Sequence, residues 1–259
     1  SLRAFIRNIR ALLAHVRPSD VVCVALDGAT HTAVLLDGED RVIRPAIYWT
    51  DRRSVREAEE LRAHTELDWR ARTYNAPSAL WTLPQLMWLQ KHEPESFARV
   101  RRVLSMKDYV RYRLTGDYVT DEIEAMGFLL LDARTNTWDA KLCALCGLSP
   151  DMLPRIVPPT ELLSPIRPEM CAQTGLAPDT RVIAGSTDTV MEVYASGAVA
   201  LGQATVKLAT AGRICPVTDR PYVDPRLVTY RHVVPGLWYP GSATKSCAAS
   251  YRWFRDAFG

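Results

Sequence analysis

The chain has 259 residues, 47% of them apolar and 24% charged, the balance of an ordinary folded protein and not of a disordered, collagen-like or coiled-coil one. Thirty-two Lys and Arg against 29 Asp and Glu leave a net charge of +3, and the basic residues are scattered. So small an excess argues against nucleic acid and against a membrane surface as partners.

At about 150 residues per domain, the length predicts one or two domains. No apolar run reaches the ~18 residues of a spanning helix. The first segment carries Arg3, Arg7 and Arg10, unlike a secretory leader, so the expected location is the cytoplasm. The six cysteines (Cys23, Cys143, Cys146, Cys171, Cys215 and Cys247) lie in apolar or helical contexts, as reduced cysteines do.

In chain order, Phe5, Ile9, Leu12, Leu13 and Val16 recur at helical spacing, predicting a helix over 3–16 that Pro18 ends. Val21 to Leu26 reads as a buried strand. A second strand is expected over 31–36 and a third over 41–43, joined by the turn Asp37-Gly38-Glu39-Asp40. Helices follow over 52–64, over 83–91 with Pro84 in its first turn, over 107–114 ended by Thr115-Gly116, and over 138–146. From Ser149 to Pro168 six prolines predict a surface crossing outside the core. A short strand over 181–184 leads through Gly185-Ser186-Thr187-Asp188 into a helix to about Ser196. Strands are then expected over 203–208, 213–216, 227–234 and 238–239, and a last helix over 247–257. This alternation predicts an α/β class, with a boundary near residue 200.

Several familiar site patterns are missing. No two of the 13 glycines stand two residues apart, so no Gly-x-Gly-x-x-Gly dinucleotide turn is present, and no Gly-x-x-x-x-Gly-Lys-Ser/Thr Walker loop occurs. No Gly-x-Ser-x-Gly elbow occurs. Cys143-x-x-Cys146 lacks a second pair at zinc spacing and reads as two core cysteines, and no metal site is expected from these residues.

Polar chemistry collects where apolar strands end, the usual place for α/β sites. The segments are Asp27-Gly28-Ala29-Thr30-His31, Tyr48-Trp49-Thr50-Asp51-Arg52-Arg53 and Gly185-Ser186-Thr187-Asp188-Thr189. At the start of a helix Asp188 reads as a cap or as a general base, and spacing alone favours the cap. Leu208-Ala209-Thr210-Ala211-Gly212 is a small-residue turn whose backbone could approach a phosphate.

Taken in order, these segments resemble the FGGY family of carbohydrate kinases, nearest its xylulokinase-like branch, from about residue 4 to residue 259. Leu83 to Glu95 looks like the family's Pro-Lys-Leu-x-Trp-Leu signature, with Gln85 in place of a common Lys. Met106 to Gly116 is similar to its Lys-Asp-Tyr-x-x-x-x-Leu-Thr-Gly stretch, and Ile47 to Arg53 to its Trp-x-Asp-x-Arg segment. Glu122 to Met126 departs from the usual Asp-x-Ser-Asp-Ala-Ser wording.

The resemblance implies an actin/hexokinase-like, ribonuclease-H-like fold of two lobes, with residues 1–199 as most of the sugar-binding lobe and 200–259 as the beginning of the ATP-binding lobe. It implies transfer of the ATP γ-phosphoryl group, with Mg2+, to a sugar or polyol hydroxyl. Asp188 matches the catalytic base. Thr30, His31, Trp49, Asp51, Arg53 and Thr189 match sugar-side positions, Thr189 standing where Asn or Gln is common. Thr210 and Gly212 match the phosphate turn, in which Ala209 and Ala211 replace the usual Gly and Ser; Lys207 and Lys245 flank that region. The family's opening Asp-x-Gly-Thr hairpin and its adenosine turn have no counterpart in these residues. The alternative expectation is therefore a sugar-holding piece that does no chemistry. Self-association as a homodimer is a further expectation from the family.

Overall fold

The computed structural model describes residues 2–209, 212–244 and 246–259. The chain divides into two compact units, one made of Ser1–His64 and Pro77–Asp188, the other of Thr65–Ala76 and Thr189–Gly259.

The first unit is built on short strands. Cys23–Val24 runs parallel to Arg181–Val182, and Asp27–Gly28 runs parallel to Ser186–Thr187. Of the expected strand over 21–26 only Cys23–Val24 pairs; the second short pairing, Asp27–Gly28, lies just beyond it. Ala33–Leu36 pairs antiparallel with Arg102–Ser105, and Val119–Asp121 parallel with Arg155–Val157. The expected third strand over 41–43 contributes only a bridge from Leu36 to Val42. The Asp37 carboxylate closes the turn before it, accepting from the Glu39 and Arg41 amides at 3.0 Å each.

Helices cover these strands. Leu2–Leu12, shorter than expected, lays Leu2, Phe5, Ile6 and Ile9 on a core of Val24, Leu114, Ile166, Met170, Leu176 and Val182. Thr82–His92 buries most of its length, with Leu83, Leu86 and Leu89 facing inward. Met106–Thr115 begins on Ser105, whose hydroxyl accepts from the Asp108 amide, and ends on Gly116 in the left-handed region.

The proline-rich segment corrects its expectation. It supplies the strand Arg155–Val157, and Leu153, Val157 and Ile166 are buried. Proline removes an N–H but leaves a carbonyl, so Pro154 and Pro158 can flank a three-residue edge strand without disturbing its ladder.

In the second unit Ala204–Leu208, Gly212–Pro216 and Ser242–Ala243 form an antiparallel sheet. The strands expected over 227–234 and 238–239 reduce to bridges among Thr218, Val228, Arg231, Trp238 and Gly241. Aromatic packing replaces the ladder there: Tyr230 stacks on Tyr239 at 5.7 Å and Tyr74 meets Trp238 edge-on at 5.4 Å. The short helix Trp69–Thr73, capped by Asp68, belongs to this unit. Asn75 is tied to the Thr229 backbone by two hydrogen bonds of 2.9 Å.

Candidate active site

Two parallel strands define the site. Asp27 lies opposite Ser186 and Gly28 opposite Thr187. Both chains then leave the sheet at the same end, one into Ala29-Thr30-His31 and the other into Asp188, the first residue of the helix Asp188–Ala195. The carboxyl ends of parallel strands are where α/β proteins gather ligand contacts, because helix starts and turns there present backbone and short polar side chains together. Asp188 is half-buried, while Thr30 and His31 are buried.

Gly185 makes the approach possible. Its φ is +70°, and a Cβ there would stand 2.0 Å from the Leu26 carbonyl oxygen. Only glycine lets the two chains run this close.

His31 is held in an unusual backbone state, with φ at 62°. Its Nδ1 lies 3.0 Å from the Gly127 carbonyl oxygen. A carbonyl can only accept, so Nδ1 carries the proton, and in the neutral ring Nε2 is then an acceptor. Trp81, almost wholly buried, meets the imidazole edge-on at 4.6 Å.

Beneath these residues lies a buried charge cluster. Lys107 Nζ reaches Asp108 at 2.6 Å and Asp121 at 2.8 Å, and Arg111 Nη1 reaches Asp108 at 2.6 Å and the Ala184 carbonyl at 2.8 Å. Arg111 Nη2 also donates to the Val119 carbonyl. Ser186 donates to Asp121 at 2.7 Å, joining the cluster to the strand that carries Asp188. Burial alone would raise the Asp108 carboxyl, but Lys107 and Arg111 outweigh it and hold it below the carboxylate range. Burial would likewise lower the Lys107 ammonium, but Asp108 and Asp121 outweigh it and keep it charged. Two cations face three carboxyls, and the surplus falls on Glu124, which burial pushes well above its ordinary value.

Other sugar-side residues of the sequence analysis are engaged differently. Asp51 and Arg53 form a two-bond ion pair of 2.8 and 3.0 Å with each other, and Arg53 lies over Trp88 at 4.8 Å. The pairing with Arg53 lowers the Asp51 carboxyl. Trp49 is 44% exposed and packs on Tyr48.

In the second unit Thr189 lines a cavity of about 230 Å³ with Glu192, Ser196, Lys207, Arg213 and Cys215. Lys207 is paired with Glu192 at 2.6 Å. Gly212 is buried, and its amide donates to the Thr244 hydroxyl at 3.1 Å. Thr210 and Lys245 lie outside the described residues. Cys143 and Cys146 are buried in the core beside Leu142, Cys146 donating weakly to the Cys143 carbonyl.

Asp121 and Glu124 carry no motif that marks them for a role at the site. The available signal was an acidic run, Asp121-Glu122-Ile123-Glu124, lying between apolar Val119 and Leu129. Acids in an apolar setting are paired or neutral when buried.

The model of the FGGY family of carbohydrate kinases, N-terminal domain, matches residues 1–194. The chain belongs to that family. It is 32% identical over 249 residues to a xylulose kinase of Escherichia coli (strain K12), covering 95% of this chain and 51% of the relative. It is 30% identical over 252 residues to a xylulose kinase of Bacillus subtilis (strain 168), covering 95% and 50%. The crystal structure of xylulose kinase from Rhodospirillum rubrum superposes with a TM-score of 0.91 at 30% identity, over 98% of this chain and 54% of that one. The FGGY chain therefore spans about half the length of the curated relatives it matches, and the α/β fold expected from the sequence is that of the family's N-terminal domain.

Proposed function

We propose that the whole protein transfers the γ-phosphoryl group of ATP to a hydroxyl of a ketose or polyol, with a ketopentose such as xylulose as the leading substrate. The observation that supports the reading is the strand register, Asp27 opposite Ser186 and Gly28 opposite Thr187, after which one segment runs on towards Thr30 and His31 and the other into Asp188. The names of the relatives supply the sugar.

Asp188 takes the proton of the attacking hydroxyl. The oxygen–phosphorus bond to the sugar forms as the bond to the ADP oxygen breaks, and ADP leaves with the electron pair. Phosphoryl transfer of this kind depends on positioning and charge stabilisation more than on covalent help. His31, protonated on Nδ1, offers Nε2 as an acceptor for a sugar hydroxyl, and Thr30 and Thr189 offer hydroxyls. Trp49, Asp51 and Arg53 complete the sugar-side set; the Asp51–Arg53 pair would orient polar groups at its rim.

On the ATP side, Thr210, Gly212 and Lys245 are the proposed phosphate contacts. Mg2+ would neutralise phosphate charge when bound with ATP. Among the described residues no group of three His, Cys, Asp or Glu stands together to hold a metal, and no residue is assigned to the ion.

The test is Asp188→Asn in the full-length protein. Loss of a general base lowers the rate by about 10² to 10⁴, with the thermal midpoint and the sugar KM held near wild type. Normal turnover by this variant would sink the assignment.

A further inference from the structure

Glu124 is fully buried, and neither of its carboxyl oxygens has a hydrogen bond of ordinary geometry. It lies in the short helix Glu122–Met126, which Asp121 caps. The neighbouring Lys107 and Arg111 are already engaged by Asp108 and Asp121, so no cation is left over for a third carboxylate. The protonated carboxyl avoids the cost of an uncompensated buried charge, and in that form it has one donor as well as acceptors.

What it faces is specific. The Thr30 hydroxyl stands beside it and is itself buried without a partner at ordinary geometry. That hydroxyl occupies the space a side chain at residue 127 would need: a Cβ on Gly127 would fall 2.1 Å from it. The Gly127 carbonyl, just past the end of the same helix, is the acceptor for His31 Nδ1. One five-residue helix thus meets both buried residues of the sugar segment, Thr30 through a side chain and His31 through the backbone.

We propose that Glu124 is a positioning residue, its buried carboxyl holding the Thr30 hydroxyl and thereby fixing the turn that presents His31 to the sugar. This rests on the reading of Thr30 and His31 as sugar contacts. The carboxyl does not touch the reacting atoms; it decides how much of the turn's disorder must be removed when sugar binds.

The experiment uses steady-state kinetics of the full-length protein with D-xylulose and ATP. The variants are Glu124→Met, Glu124→Gln and Glu124→Asp, each with a thermal melt. Met keeps the volume and removes the hydrogen-bonding end. It raises the sugar KM by about tenfold, the effect of one lost hydrogen bond, while kcat and the ATP KM stay within about threefold. Gln, neutral and of the same length, rescues most of the loss. Asp, one methylene short of Thr30, raises the sugar KM in the same direction as Met, so the inference stays testable if Met fails to fold. A sugar KM left within about twofold by Met or by Asp overturns the inference. So does a loss in Gln as large as in Met, or a parallel fall in kcat and ATP affinity, which would mark a merely structural role. Wild type is measured first: if it phosphorylates no ketose or polyol, the functional reading fails and takes this inference with it. If it does and the variants leave the sugar KM alone, only the inference fails.

Discussion

At the scale of single residues, Arg111 shows how the site is supported from below. Its guanidinium is fully buried and satisfies Asp108 together with the carbonyls of Val119 and Ala184. Replacing it with Met leaves Asp108 short of a cation in a dry interior. Breaking a buried pair from one side costs about 3–5 kcal/mol, and urea unfolding of Arg111→Met is expected to show a loss of that size. A loss below about 1 kcal/mol would mean that water reaches the cluster. None of this was legible beforehand. The sequence marks Lys107, Asp108 and Arg111 only as part of a helix and of the family stretch Met106 to Gly116; their burial has no signal in it, because charged side chains are mostly exposed. The expectation of roles for His31 and Asp188 comes from the family resemblance; helix-start spacing by itself leaves Asp188 reading as a cap.

At the scale of elements, the long helices and strands such as Ala33–Leu36 and Ala204–Leu208 were legible, and some of the shortest strands were not. Thr82–His92 and Met106–Thr115 fall within a residue or so of expectation, since apolar spacing, Pro84 and Gly116 all mark them. Val119–Asp121 and Arg155–Val157 are three residues each, too short for a period to declare itself, and the second hides among prolines. Their pairing is fixed by what surrounds them: Val119, Val157 and Ala184 share one small core. Just before the Asp27–Gly28 and Ser186–Thr187 pairing, Gly185 passes close to the Leu26 carbonyl. Gly185→Ala must place a Cβ at φ +70° and 2.0 Å from a backbone oxygen. The left-handed conformation alone costs about 1–2 kcal/mol, and the clash has to push the Asp27–Gly28 and Ser186–Thr187 ladder apart. A drop above about 2 kcal/mol in stability is expected; on the proposed function, turnover by the full-length protein falls with it, because Asp188 follows directly on the strand. An unchanged melting curve would contradict the close approach.

At the scale of the whole molecule, the six cysteines report on how the chain is closed. All are free; Cys23 is exposed, and Cys143, Cys146 and Cys215 are buried. Burial pushes the Cys143 thiol up to about 12 and raises Cys146 as well. The thiolate is the reactive form, so at pH 8 a thiol reagent is expected to modify Cys23 in the native protein and to reach Cys143 and Cys146 only as the fold opens. Peptide mass spectrometry of a labelling time course checks this; early labelling of Cys143 or Cys146 would show that the first unit opens locally. The two-unit organisation itself was only half legible. A change of character near residue 200 is visible in the sequence, but nothing in composition marks Thr65–Ala76, whose home is the second unit. That excursion has a consequence during synthesis. Asn75 must wait for Thr229, which leaves the ribosome 154 residues later; at about 5–20 residues per second that is roughly eight to thirty seconds. Through that interval Trp69, buried in the finished fold, has no home to enter. The pace of translation thus becomes a variable in whether this segment reaches its own unit, and slow codons between the two halves would lengthen the time a chaperone has to hold it.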